Sequence, residues 1–125
     1  MSLQSTRPVF LNLLKIKLPM MGLVSIAHRI TGVLLFLSIP VLLYLLGLSL
    51  SSADGFAQSV TIVQSLSFKL FALLLLWALL HHLLAGIRYL LIDLDIGANL
   101  PEARTSAISV FIGGVLLAVA GGFLL

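Results

Sequence analysis

Three long and almost uncharged apolar runs constrain this chain more than any other feature. They lie at about Leu23 to Leu48, Ser67 to Asp93 and Arg104 to Leu125. At about 1.5 Å per residue, each can cross a hydrocarbon core about 30 Å thick with some tilt. The runs are continuous, not alternating, which selects helices over barrel strands. Only 9% of the residues are charged, against about 25% in soluble domains, so the chain cannot cover a water-facing surface. The expected fold is an all-α membrane protein. One membrane-anchor domain, residues 1–125, should hold three transmembrane helices in an up-down bundle, preceded by an N-terminal interfacial segment.

That segment is Pro8 to Pro19. Phe10, Leu11, Leu14 and Leu18 recur at near-helical spacing beside Lys15 and Lys17, as in a segment lying on anionic headgroups. An ordered tail packed on a partner fits the pattern as well. The polar first residues and the length of the first run predict no cleavable leader. Pro40 frees the carbonyl of Phe36 and predicts a kink in the first span. Ser49 to about Ser65 reads as a polar loop turning at Asp54-Gly55. Leu94 to Glu102 reads as a second loop, with a helix starting near Pro101. Gly114, Ala118 and Gly122 form a small-residue stripe for close helix packing.

Charge is distributed unevenly. Arg7, Lys15, Lys17, Arg29, Arg88 and Arg104 lie at one end of the expected bundle, and Lys69 alone at the other. The positive-inside rule then puts the N-terminus and second loop in the cytoplasm. The chain has no cysteine, which excludes disulfides, thiolate metal sites and cysteine-ligated iron–sulfur clusters in it. Any water-soluble chemistry must come from partners, and no nucleic-acid partner is expected.

Two clusters of ionisable residues interrupt the apolar spans, where such groups are costly and mark function by default. The first is His81, His82, Arg88, Tyr89 and Asp93. His82, Ala85, Gly86, Tyr89 and Asp93 share one helix face. Ala85 and Gly86 leave room beside His82 for a large flat group, as an axial haem ligand requires. His81 lies about 100° away, on a stripe with Ala85 and Arg88. Spacing alone does not choose between the histidines, and both could instead bond to neighbouring helices. Arg88, near the interface, could meet propionates.

The second cluster is Ser25, His28, Arg29 and Thr31, followed by Gly32. Ser25, Arg29 and Gly32 share a face, and a hydroxyl beside a fixed cation suits a quinone carbonyl that gains electrons. The alternative is that Arg29 snorkels and Ser25 caps the helix. Depth separates the clusters. His82 is roughly 16 Å from Asp93 along its helix, whereas His28 is only about 6–8 Å into its span. They are therefore not expected to serve one iron, and a six-coordinate haem would take its second ligand from another chain.

At these residues the sequence resembles the cytochrome b large membrane-anchor subunits of succinate dehydrogenase, respiratory complex II. Arg7-Pro8-Val9-Phe10-Leu11 is similar to the family's Arg-Pro-x-x-Leu opening. Ser25-Ile26-Ala27-His28-Arg29-Ile30-Thr31-Gly32 resembles Ser-x-x-His-Arg-x-[Ser/Thr]-Gly, and His82-Leu83-Leu84-Ala85-Gly86-Ile87-Arg88 resembles His-x-x-x-Gly-x-Arg. The resemblance implies that His82 is an axial ligand of haem b, shared with the small anchor subunit. It implies that Ser25 and Arg29 help form a ubiquinone site, and that His28 and Arg29 lie near the propionates. Succinate oxidation, a step of the tricarboxylic acid cycle, would fall to flavoprotein and iron–sulfur partners at a bacterial inner membrane. The chain itself would carry no catalytic residue for that oxidation. Tyr89 stands where relatives often have a second histidine, and a phenol is no cation at neutral pH. A fumarate reductase anchor and a haem-free structural anchor are the competing readings.

Overall fold

The computed structural model describes residues 17–124. The Arg7-Pro8 opening and most of the interfacial segment therefore lie outside the described residues. Four helices follow in order: α1 Met20–Ser51, α2 Ala53–Gln64, α3 Leu66–Asp93 and α4 Leu100–Gly122. Three of them, α1, α3 and α4, are long and apolar enough to span a membrane. No strand occurs among the described residues.

Pro19 is the N-cap of α1, with an extended backbone, and its carbonyl accepts from the Gly22 and Leu23 amides at 2.9 and 3.2 Å. The helix then runs unbroken through Pro40 to Ser51. At its end the structure departs from the expected loop. Ser52 is extended, and its side chain accepts from the Gly55 amide at 2.9 Å, so Asp54-Gly55 opens a helix and makes no turn. A carboxylate in a first turn complements the helix dipole. The glycine is needed for a different reason. A Cβ at Gly55 would collide with the Leu48 carbonyl and Ser51 Oγ. The two-helix corner closes only because position 55 lacks a side chain.

Ser65 makes the next break in the same way. Its backbone is extended, and its side chain accepts from the Phe68 amide at 3.3 Å to start α3. After Asp93 the chain reverses through Asp95 and Gly97, both at positive φ (59° and 70°). Asn99 caps α4 with Pro101 in its first turn, where a missing amide hydrogen is harmless. That is the helix start read from the sequence, a few residues before the expected span.

α3 sits centrally, antiparallel to both α1 and α4. Its contact with α4 is lined by small residues: Ala78, Ala85, Ala103, Ala107 and Ala118 are buried. A Cβ at Gly114 would come 3.4 Å from His81 Cα, and one at Gly122 would come 2.8 Å from a Leu73 methyl. The small-residue stripe thus faces α3 and lets the backbones approach, as expected for helices packing without a hydrophobic drive. The large side chains point outward: Phe36, Leu43, Tyr44 and Leu116 are all well exposed. That is the inside-out distribution suited to lipid or to further membrane helices.

Candidate functional site

His28 of α1 and His82 of α3 meet face to face. Their rings stack with centroids 4.0 Å apart and planes 11° apart. Both sequence motifs contribute to this contact by the same device. A Cβ at Gly32 would lie 3.0 Å from His82 Cε1, and one at Gly86 would lie 3.7 Å from His28 Nε2. Each His-x-x-x-Gly therefore supplies a ring and, one turn later, a gap. In antiparallel helices the ring of one enters the gap of the other.

The expected depth separation does not hold. α1 begins at Met20, so His28 lies about 12 Å along its helix, close to the level of His82. The two imidazoles nonetheless do not point at a common centre, because rings stacked face to face send their lone pairs side by side.

The stack leaves His82 chemically asymmetric. Its Nδ1 lies 3.0 Å from the His28 carbonyl oxygen and 3.3 Å from Thr31 Oγ1. A carbonyl only accepts, so Nδ1 carries the proton. Nε2 then holds the lone pair, and it has no hydrogen-bond partner among the described residues. A neutral imidazole with Nδ1–H on a backbone carbonyl and Nε2 open is the usual form of a metal ligand. No trio of histidine and carboxylate side chains that could hold a bare ion occurs among the described residues. A single open histidine would suit a haem, whose macrocycle brings its own nitrogen ligands.

Around this centre the predicted residues divide. Tyr89 packs its ring edge against His28 at 5.3 Å, with its hydroxyl buried and unpartnered among the described residues. Ser25 is partly buried on α1. Arg29 is exposed on the outer face of α1, beside Ile30, Val33 and Leu34, and its guanidinium has no partner among the described residues. An unpaired cation at that depth against lipid is expensive, so this face calls for a ligand or another chain.

Arg88 does not join His82. It is 6% exposed and turned toward α4. There Nε donates to Ser106 Oγ at 2.9 Å and Nη2 donates to the Ala103 carbonyl at 2.9 Å. Six residues of helix amount to about 600°, which puts Arg88 about 120° around the helix from His82. That arithmetic was available from the sequence, but the acceptor Ser106 was not singled out there. His81 shares the Arg88 face. It is fully buried between Trp77 and Phe111, with ring centroids at 5.7 and 5.9 Å, and neither nitrogen has a partner among the described residues. The structure thus separates the adjacent histidines by environment. A groove of about 650 Å³ between α3 and α4, lined by Leu84, Ile87, Leu91, Arg88 and Ser106, also lies on the Arg88 side.

Residues 4–121 match the family described as succinate dehydrogenase/fumarate reductase transmembrane subunit. The chain belongs to this family. Similar relatives include a succinate dehydrogenase cytochrome b556 subunit of Coxiella burnetii, 39% identical over 96% of this chain and 97% of the relative. A protein of the same name from Paracoccus denitrificans is 33% identical over 93% of this chain and 89% of the relative. As a transmembrane subunit of such an enzyme, this chain associates with catalytic subunits. The stacked histidines and their glycine seats therefore belong to the membrane sector of the succinate dehydrogenase/fumarate reductase family.

Proposed function

We propose that this chain is the haem b-binding anchor of a bacterial succinate dehydrogenase and helps form its ubiquinone-reduction site. The observation that carries this reading is the His82 imidazole, with Nδ1–H on the His28 carbonyl and Nε2 open. The names of the two relatives, both cytochromes b556 of succinate dehydrogenase, support haem b and favour that enzyme over fumarate reductase. His82 would hold the haem from this chain, and a histidine of the small anchor subunit would complete it. Haem, when bound, supplies a one-electron redox centre inside the membrane.

The other residues have distinct tasks in this reading. His28 and Arg29 would lie near the propionates, whose charge the Arg29 guanidinium would offset. Ser25 donates a hydrogen bond to a quinone oxygen, and Arg29 stabilises the anion that develops there. Arg88 bonds to Ser106 and the Ala103 carbonyl of α4 and supports the bundle, and a propionate contact would require it to exchange one of these bonds. Electrons come from succinate through the flavoprotein and iron–sulfur partners, and protons enter from the nearby cytoplasm. Lys17, Arg29, Arg88 and Arg104 share one end, which supports an inner-membrane protein with its N-terminus in the cytoplasm.

The test is copurification of the complex with a reduced-minus-oxidised spectrum. His82→Ala should abolish or strongly disturb the haem b bands, while His81→Ala leaves them nearly intact. Equal losses, or a greater loss at His81, would reject the assignment. A purified wild-type complex with no Soret band would establish a haem-free anchor instead.

A further inference from the structure

The His82 ring is held by more of α1 than the histidine stack alone. Thr31 Oγ1 donates its proton to the His28 carbonyl at 2.9 Å, so an oxygen lone pair remains for His82 Nδ1–H at 3.3 Å. The reverse polarity, with Thr31 donating to a bare Nδ1, would leave that nitrogen lone pair facing the carbonyl at 3.0 Å, which is repulsive. One N–H thus meets two acceptors, and the threonine hydroxyl links them. Thr31 is fully buried, so no solvent competes for this arrangement. The adjacent position completes the seat, because any side chain at Gly32 would press on His82 Cε1.

We infer that Thr31 is a positioning residue for His82: its hydroxyl, with the His28 carbonyl, fixes the Nδ1–H tautomer and strengthens Nε2 as a donor to iron. The inference rests on the reading of His82 as the haem ligand. Two acceptors on Nδ1–H draw the proton away from the ring and leave more electron density at Nε2 for a metal. Groups of this kind typically contribute about 10–100-fold to metal affinity. Serine is the substitution that keeps the hydroxyl at this position.

The test uses the assembled complex carrying Thr31→Val, which keeps the side-chain shape, and Thr31→Ser, which keeps the hydroxyl. Haem retention and midpoint potential are measured spectroscopically, with dye-linked succinate oxidation as the check on assembly. Thr31→Val should weaken haem retention about tenfold and raise the potential, and Thr31→Ser should restore both. No change in Thr31→Val would overturn the inference. So would equal changes in both variants, because packing and not the hydroxyl would then be responsible. Full haem in His82→Ala would instead remove the ligand reading beneath it.

Discussion

At the scale of single residues, neighbours in sequence end up with unrelated work. His82 turns one nitrogen to α1 and keeps the other open. His81, one step along the helix, is enclosed by Trp77, Phe111 and the Gly114 backbone. Its nitrogens make no well-formed hydrogen bond among the described residues, and a buried polar group left so costs about 1–3 kcal/mol. His81→Phe should therefore be neutral or raise the melting temperature of the complex, with the haem spectrum unchanged. Arg88 is the opposite case, because its buried hydrogen bonds are made. Arg88→Met should destabilise the subunit by about 2–4 kcal/mol, as expected when charged hydrogen bonds are lost and their acceptors stranded. Thermal release of the anchor from the purified complex measures it, and Arg88→Lys should recover only part, since an ammonium cannot reproduce the fork.

At the scale of elements, α2 is the departure from the sequence reading. Ser, Asp and Gly clusters are ambiguous by nature, because the same residues that make turns also cap helices. What decides between them is the approach of α2 to the end of α1, where Gly55 meets the Leu48 carbonyl. Gly55→Val should open that corner and increase proteolysis between residues 49 and 65, with little effect on haem. The α3–α4 contact makes a second prediction at this scale. Gly114→Leu would force a side chain against the His81 backbone, and such overpacking typically costs about 1–3 kcal/mol. Lower yield of assembled complex, with normal succinate oxidation in the fraction that assembles, is the expected result. The three spans were legible because lipid leaves few alternatives to a helix. Their ends shifted by a few residues because caps such as Pro19 and Asn99 are polar or proline residues outside the apolar runs.

At the scale of the whole molecule, the chain is an incomplete structure by its own surface. Its exposed faces are apolar, and Arg29 has no partner among the described residues on one of them. Both features are met if other membrane helices and a quinone cover that side. Ser25→Ala and Arg29→Leu should then reduce succinate-to-quinone activity by about 10²-fold or more, the usual effect of removing a group that stabilises developing charge. Dye-linked succinate oxidation should persist, and loss of both activities would point to failed assembly. The sequence by itself determined that the chain lives in a membrane, that it spans it three times, and where its ionisable motifs interrupt the spans. Those properties follow from composition and spacing, which are local. Only the tertiary structure decided that the two His-x-x-x-Gly motifs interlock, that His28 and His82 share one level, and that Arg88 belongs to α4. Those depend on the register of antiparallel helices. Register is set by where caps start each helix and where missing side chains let two backbones approach, and no single stretch of sequence contains both partners.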